Sequence, residues 1–352
     1  MKTSLLFAIL TVFYGLALGQ SNKAKLLLKE GVEQHDKGFF DKAISKYDSA
    51  LVEEPVYADA FYEKSFTLFK LNKHQECIDI SKQLIKNYPS SPLLKAVYVQ
   101  YGSALDVLGN PNEAIKVYNT GLQKFPNYFL LNFNKAMTYT TINETGKAYE
   151  YLQQALMANP FHSSSYFRTA EILRSSNKIP AMLAGIMHLV LEPQSDRSAG
   201  SFKNLMLLMN ENIKRTGNNT TITLNSSLLA GAKAKKYPDN FSMQEMLFTM
   251  SSALDKDTAM NSLTKTDIEK FDLRLQLLIN SLHENEEGFF SERYVPLFKQ
   301  LLANNYTMMV SRLVFMNTND ERNAVWFKVN TDKTEEFYNC LQAYEWVRVN
   351  GQ

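Results

Sequence analysis

Four prolines in the first half of the chain each end a similar run of residues, and their spacing is the feature that most restricts the fold. The prolines, separated by 34, 37 and 34 residues, are Pro55, Pro89, Pro126 and Pro160. A small residue precedes each of them by 12 positions, and these small residues are Ala43, Cys77, Ala114 and Ala148. A repeat of about 34 residues, with a proline and a small residue at fixed positions, is typical of stacked helical hairpins. Such stacks form extended surfaces that usually hold partners, so the pattern favours a binding or scaffolding protein over an enzyme.

The first copy has the residues expected of two paired helices. Residues 41–47 carry the i, i+3, i+4 apolar spacing of an amphipathic helix. Gly38 lies before them, where a turn needs a residue that can adopt positive φ. Gly31 allows the paired helices to approach closely, and Ala43 provides a small side chain where they cross. The first copy therefore predicts a tight helical hairpin.

In these residues the chain resembles the tetratricopeptide repeat family, whose pattern places Leu-Gly, Tyr, Ala, an aromatic residue, Ala and Pro at fixed offsets. The second copy departs from it, because Ser65 and Ser81 stand where the family has glycine and an aromatic residue. The last copy is degenerate, with Met182 in the small position and Pro180 at its turn. The resemblance covers about half of the chain and implies repeats at about 24–57, 58–91, 95–128, 129–162 and 163–196.

We therefore expect an all-α protein in which a superhelical solenoid of hairpins, residues 20–196, precedes a helical C-terminal region, residues 197–352. The period is lost from about Arg197, and the polar, β-branched residues 214–225 predict a loop. Helical patterns then resume; they span residues 241–254, 265–283, 291–304, 307–316 and 331–348. Two arrangements are open for this region: an oversized cap on the solenoid, or a divergent set of further hairpins.

The N-terminus has the pattern of a secretory signal peptide, residues 1–19. Lys2 gives a positive start, residues 4–18 are mainly apolar, and small residues precede a cleavage site between Gly19 and Gln20. The alternative is a retained anchor, but the apolar run is shorter than the roughly 20 residues that a span needs. We expect an exported protein without a stable membrane anchor, in the periplasm or outside the cell, and we favour a bacterial envelope.

Composition limits the other partners. The formal net charge is only +2 and no run of five basic residues occurs, which argues against nucleic-acid binding.

Cys77 and Cys340 are the only cysteines. Two buried thiols are the commoner outcome for such a pair, and a disulfide between them is the alternative.

The resemblance implies that the first helix of each hairpin lines a concave groove. The candidate binding residues in that groove are Tyr62, Phe66, Phe69, Val99, Phe133, Met137 and Phe167. Leu28 and Val32 replace the basic and amide residues with which some family members grip a carboxylate, which argues against that mode. An apolar lining should be covered. The candidates for its cover are a helical or apolar segment of a protein or peptide partner, the chain's own residues 197–352, or the core itself if the rings lie between repeats.

Motifs for chemistry are absent from the sequence. There is no phosphate-binding loop and no nucleophile elbow, and His283 lacks the second histidine of a zinc-protease motif. We expect no cofactor, no metal and no catalytic residue. The favoured function is a non-enzymatic scaffold or adaptor in envelope assembly or secretion. The alternatives are an enzyme or small-ligand binder with its site in residues 197–352, and a purely structural subunit of a complex.

Overall fold

The computed structural model of the chain describes residues 21–211, 213–216, 219–222, 239, 241–254, 266–283, 287–318 and 320–346. These residues form 17 helices and one β-hairpin, so the all-α prediction is confirmed. They belong to two compact units that divide between Asn143 and Glu144, and each unit is described by itself. The predicted signal peptide lies outside the described residues.

The first unit is a series of antiparallel helices joined by short turns. Its described helices are α1 Asn22–Asp36, α2 Phe40–Glu53, α3 Ala58–Lys70, α4 His74–Asn87, α5 Leu94–Val107, α6 Pro111–Lys124 and α7 Phe129–Thr141.

The second unit continues with helices and contains the hairpin. Its described elements are α8 Thr145–Ala158, α9 Ser163–Leu173, α10 Lys178–Leu191, α11 Ser198–Asn210, β1 Ile213–Thr216, β2 Asn219–Ile222, α12 Ser242–Leu254, α13 Asp267–Ser281, α14 Phe289–Ala303, α15 Thr307–Val314, α16 Glu321–Val329 and α17 Thr331–Ala343.

The repeated prolines and the residues at positive φ lie in the turns between helices. Each of the four prolines lies just after the second helix of a hairpin, within two residues of its end. The turn inside each hairpin contains a residue at positive φ, and these residues are Gly38, Asn72, Gly109 and Asn143. Glycine and asparagine adopt this conformation at the least cost, so the turns are placed by local backbone preference.

Within two hairpins of the first unit, a glycine of the first helix lies against a tyrosine ring of the second. A Cβ atom on Gly31 would lie 2.4 Å from Cε1 of Tyr47, and one on Gly102 would lie 2.3 Å from Cε1 of Tyr118. Both rings are fully or almost fully buried. Contact between a ring and a bare backbone brings the two helices closer than side-chain contact would allow.

In the second hairpin, small polar residues take the place of the glycine and the tyrosine between the two helices. Ser65 and Ser81 occupy the glycine and tyrosine positions, and their hydroxyl oxygens lie 3.4 Å apart. The Ser65 hydroxyl also lies 3.3 Å from the sulfur of Cys77. Burial raises the pKa of the Cys77 thiol, and both cysteines are free. Where Ser65 and Ser81 depart from the family pattern, the structure therefore has a buried cluster of hydroxyl groups and a thiol in place of a tyrosine ring.

The spacing of the first helices continues beyond the fifth hairpin. The helices of this type begin at residues 22, 58, 94, 129, 163 and 198. The last of them, α11, packs on α10 as a further first helix would. In the sequence, the pattern of the repeat is lost from about Arg197. The structure carries it through one more helix, because α11 keeps the packing position although it lacks the family's sequence pattern.

The second unit is organised around α10, in which all residues from Lys178 to Val190 are buried. Helices α9 and α11 pack on it, and so do α12 and α15 of the C-terminal region. The Tyr338 hydroxyl of α17 donates to the carbonyl oxygen of Val190 at 2.9 Å. A helix that is apolar all round must be enclosed, and the C-terminal region supplies much of that enclosure.

Local predictions for the C-terminal region have mixed outcomes. Within the predicted helical pattern 265–283, Thr266 and Glu269 form a capping box at the start of α13. The loop prediction for residues 214–225 is wrong at β1 and β2, which pair in antiparallel register, as β-branched residues favour. Helix α16 was missed.

Asp239 takes the capping role at α14. Its Oδ1 atom accepts hydrogen bonds from the backbone N–H groups of Phe290 at 2.9 Å and Ser291 at 3.0 Å. The Tyr149 hydroxyl donates to the other carboxylate oxygen at 3.3 Å. A side-chain oxygen that satisfies the first N–H groups of a helix stabilises its N-terminus. Asp239 thereby joins α8 and α14, two helices distant in sequence.

The glycine–tyrosine contact predicts the effect of adding one methyl group. Gly102→Ala should lower the free energy of unfolding by about 1–3 kcal/mol, because the ring of Tyr118 must move. Gly146→Ala is the matched control: a Cβ there meets nothing within 4 Å, so helix propensity alone should leave stability unchanged or raise it by up to about 1 kcal/mol. Urea unfolding followed by circular dichroism measures both. Equal effects of the two substitutions would contradict the contact.

Candidate functional site

The first helices of the hairpins lie side by side in the first unit. Helix α1 contacts α3, α3 contacts α5, and α5 contacts α7. The second helices lie between successive first helices in the chain and pack on both of them. The first helices therefore form a continuous row within this unit. We call this row, α1, α3, α5 and α7, the first-helix row.

Six of the seven candidate residues lie on the first-helix row, and each of them is partly buried. They are Tyr62, Phe66 and Phe69 on α3, Val99 on α5, and Phe133 and Met137 on α7. Tyr62 and Val99 pack against the buried cluster that contains Tyr98 and Leu131. Part of each of the six side chains therefore remains accessible. Their partner-binding role stays a prediction.

Phe66 belongs to a small group of rings that spans the first two hairpins. Its ring stacks on His35 with a centroid distance of 5.1 Å, and the Lys70 ammonium lies 5.6 Å from its centroid. The Nδ1 atom of His35 is 2.7 Å from the Thr67 hydroxyl oxygen. Burial lowers the pKa of His35, and Lys70 adds to that effect against Asp36. The imidazole of His35 and the ring of Phe66 therefore form a stacked aromatic pair beside the ammonium group of Lys70.

Acidic side chains accompany the rings on this row. Burial raises the pKa of Glu63, and the nearby carboxylates of Asp59 and Asp36 raise it further. Burial also raises the pKa of Tyr62, to about 12, so its hydroxyl remains protonated. The row therefore combines apolar rings with carboxylates that a cationic group of a partner would stabilise.

Phe167, the seventh candidate, lies on α9 in the second unit. Two guanidinium groups cover its ring: Arg168 at 5.2 Å and Arg197 at 5.1 Å from the centroid. Arg197 also donates to both oxygens of Glu192, at 2.9 and 2.7 Å. Desolvation raises the pKa of Glu192, but the hydrogen bonds from Arg197 and two hydroxyls outweigh it and lower the pKa to about 2. Phe167 therefore lies next to two guanidinium groups, one of which is paired with a carboxylate.

His188 of α10 lies against the ring of Phe167, with centroids 5.3 Å apart. Its side chain is completely buried, and its Nδ1 atom lies 2.7 Å from the Ser163 hydroxyl oxygen. Burial lowers the pKa of His188 to about 4, and Arg197 contributes against the opposing effect of Glu192. The ring is therefore neutral near pH 7.

Sequence reasoning identified the rings of the row and missed the cations over them. Lys70 follows Phe66 by four residues, a spacing that places both on one face of a helix and could have revealed the pair. Arg197 lies 30 residues after Phe167 at the start of the next first helix, and no local signal connects them. Among the described residues, no group of three or more His, Cys, Asp or Glu side chains could hold a metal ion. No helix in the described part of the chain is long and apolar enough to cross a membrane.

The family model of the tetratricopeptide repeat matches residues 131–162. That segment contains most of α7 and all of α8, and the same helical hairpin recurs before and after it. Residues 131–162 therefore form a tetratricopeptide repeat. Tetratricopeptide repeats are interaction scaffolds that bind protein or peptide partners, and they generally act as non-enzymatic adaptors.

Solved structures similar to this chain include other tetratricopeptide proteins. A thermophilic TPR protein of Thermus thermophilus is 22% identical, with a TM-score of 0.46 over 52% of this chain and 100% of that chain. PilF of Pseudomonas aeruginosa is 15% identical, with a TM-score of 0.44 over 54% of this chain and 90% of that one. YrrB, described as a TPR protein with an unusual peptide-binding site, is 14% identical, with a TM-score of 0.37 over 50% of this chain and 90% of that one. No curated protein matches the chain significantly.

The buried ring of His188 predicts how stability depends on pH. Because its pKa falls from 6.5 to about 4 on folding, the unfolded chain binds more protons between these pH values. Stability should therefore fall as the pH is lowered through this window, by on the order of 2 kcal/mol for this ring. His188→Asn, whose amide can take the place of Nδ1, should remove that part of the loss.

Urea unfolding at pH 7 and pH 4.5 measures the difference between the two proteins. The pKa of His162, which burial also lowers to about 4, has the same effect in both and cancels. An equal loss of stability in the wild type and the variant would mean that His188 is not held neutral in the folded state.

Proposed function

We propose that the chain is an exported, non-enzymatic scaffold that binds a protein or peptide segment along its first helices. The candidate contacts are Tyr62, Phe66, Phe69, Val99, Phe133 and Met137 in the first unit and Phe167 in the second. The observation that carries the proposal is the first-helix row, on which Tyr62, Phe66 and Phe69 recur at helical spacing on α3 and Phe133 lies on α7, all of them partly buried. Solenoids of stacked hairpins use such rows as binding surfaces.

The side chains of the row indicate what kind of segment it fits. Rings that are partly buried and partly accessible suit the apolar face of a partner, as in the docking of an amphipathic helix into a groove. The Glu63 carboxylate and its acidic neighbours suit a cationic residue at the edge of that face. The expected partner segment is therefore apolar along one side and carries at least one Lys or Arg.

Export and pathway belong to the same proposal. The apolar run after Lys2 supports secretion, and the protein then works in the periplasm or outside the cell. An interaction scaffold in a bacterial envelope would serve envelope assembly or secretion, an assignment that follows from the class of protein and its expected compartment.

Capture of partners from native envelope extract tests the binding surface. The purified protein is compared with Phe66→Glu/Phe133→Glu, which adds two charges to the first-helix row. The matched control is Val52→Glu/Val56→Glu, which adds the same charges at side chains that are 78% and 71% exposed outside the row. We expect partners held by the wild type and the control to be reduced at least tenfold on the row variant, because charges in an apolar interface must be desolvated.

Circular dichroism and urea unfolding accompany the capture, so that loss of binding is separated from loss of structure. Equal capture by the folded row variant and the control would place the binding surface elsewhere. A row variant that fails to fold would show that Phe66 and Phe133 are core residues, and the assignment of the row would be wrong.

The export proposal predicts a shortened N-terminus. Expression in a bacterial host followed by fractionation should place the protein in the periplasm or medium, with Gln20 as its first residue on N-terminal sequencing. Lys2→Glu combined with Leu5→Asp, which disrupts the positive start and the apolar run, should leave the full-length chain in the cytoplasm. An uncleaved wild-type chain in the cytoplasmic fraction would contradict export.

A further inference from the structure

An open pocket in the second unit lies where α9 ends beside α11. It has a volume of about 480 Å³, within the range of about 300–1,000 Å³ that is typical of ligand sites. Arg174 and Ser175 line it directly after the last residue of α9. The other lining residues come from α11 and its C-terminal end, and they are Asn204, Leu207, Leu208, Asn210 and Glu211. Two successive first helices therefore form the pocket, and first helices also carry the proposed binding surface in the first unit.

Arginine side chains place hydrogen-bond donors at this pocket. The Arg174 guanidinium group donates to the side-chain oxygen of Asn204 at 3.0 Å. Arg274 of α13 donates to the side-chain oxygen of Asn210 at the edge of the pocket. A guanidinium group has five N–H donors in a planar arrangement that matches a carboxylate. The bond to Asn204 uses one donor of Arg174 and fixes the group in the pocket wall, so other donors remain for an anion that enters.

The charges around the pocket favour an anionic ligand. Glu211 lines the pocket, but the ammonium group of Lys178 lies 3.6 Å from its carboxylate. Glu171, which precedes Arg174 by three residues, is paired with Arg168 at 2.8 Å. Among the described residues, no carboxylate forms an ion pair with Arg174. Within the pocket wall, Glu211 thus has its counter-ion in the protein and Arg174 does not, and an entering anion would supply it.

Two leucines give the pocket an apolar floor beside these donors. Leu208 is buried in the core, whereas Leu207 is 58% exposed. An apolar group that covers Leu207 removes its surface from water and contributes to binding. Because the pocket is open above Leu207, a chain can continue on both sides of the bound group. The floor and the opening fit a peptide segment, while a small inorganic anion would leave Leu207 uncovered.

We propose that this pocket binds an acidic side chain, Glu or Asp, that lies next to an apolar residue in a peptide partner. The inference rests on the proposed peptide-binding function and assigns to it a specificity site in the second unit. The carboxylate accepts hydrogen bonds from the Arg174 guanidinium group, and the neighbouring apolar side chain packs on Leu207. Charge-assisted hydrogen bonds of this kind are roughly twice as strong as neutral ones, so the carboxylate charge determines the affinity.

Short peptides with a single variable residue test the charge requirement. Each is a pentapeptide with blocked termini, an uncharged fluorophore, and leucine on both sides of a central Glu, Gln, Lys or phosphoserine. A fifth peptide has a central Gln and an unblocked C-terminal carboxylate. Fluorescence anisotropy measures their binding to the purified full chain. Glu and Gln have nearly the same shape, so the difference between them reports the charge. We expect the Glu peptide to bind about tenfold more tightly than the Gln peptide at low salt, and the ratio to shrink at high salt.

Three variants locate the binding of the carboxylate. Arg174→Gln should weaken binding of the Glu peptide about tenfold, to the level of the Gln peptide. Lys203→Gln is the matched control, because Lys203 is an exposed cation of α11 that does not line the pocket; this variant should bind like the wild type. Arg174→Lys keeps the charge and loses the planar pair of donors, so its affinity should be intermediate. Circular dichroism and urea unfolding should show all three variants folded, since both substituted side chains are exposed.

The outcomes distinguish this inference from the function on which it rests. Equal affinities of the Glu and Gln peptides, or equal losses in Arg174→Gln and Lys203→Gln, would overturn the acidic side-chain site. Tightest binding of the phosphoserine peptide would overturn it in favour of a phosphate site, and tightest binding of the fifth peptide would do so in favour of a chain terminus. Absence of binding for every peptide would also overturn it. Capture with Phe66→Glu/Phe133→Glu tests the proposed function separately, because those residues lie in the first unit.

Discussion

The contact between the two helices of each hairpin is the constraint on which the repeat region depends. In the first and third hairpins a tyrosine ring, Tyr47 or Tyr118, lies on the backbone of a glycine in the partner helix. In the second hairpin Ser65 and Ser81 fill the same positions with a hydroxyl contact. Both arrangements bring the two helices of a hairpin close together. In one, a large ring packs on a residue that has no side chain; in the other, two small side chains face each other. A close and constant approach within each hairpin sets the spacing of the first helices, and thereby the geometry of the row that they form.

The same contact explains why large side chains are available on the first helices. The position that faces the second helix must be small, as at Ser65 and Ala136, both of which are fully buried. Phe66 and Met137 follow these residues directly, and successive residues of a helix point about 100° apart. Their side chains therefore leave the hairpin contact and stand on another face, partly buried. The helical period therefore explains both observations. The small residue packs against the second helix, and the large residue directly after it is partly exposed on the first-helix row.

The features predicted from sequence are those fixed by residues close together in the chain. The proline spacing and the turn at Gly38 depend on short-range backbone preferences, and the structure has both. The features that were missed depend on residues far apart. Asp239 caps a helix that begins 50 residues later, and no local sequence pattern links the two. Arg197 reaches Phe167 from the start of the next first helix. Such contacts exist only after the hairpins have stacked, so a single sequence does not contain them as a pattern.

The fifth hairpin shows how enclosure changes what a helix can do. Helices α9 and α11 and the C-terminal region surround α10, and its side chains are accordingly almost all apolar. His188 departs from this rule, because it is a polar residue that is completely buried. Its Nδ1 atom lies 2.7 Å from the Ser163 hydroxyl oxygen, and burial lowers the pKa of the ring to about 4. The enclosure of α10 therefore excludes the charged form of this side chain and holds the imidazole neutral near pH 7.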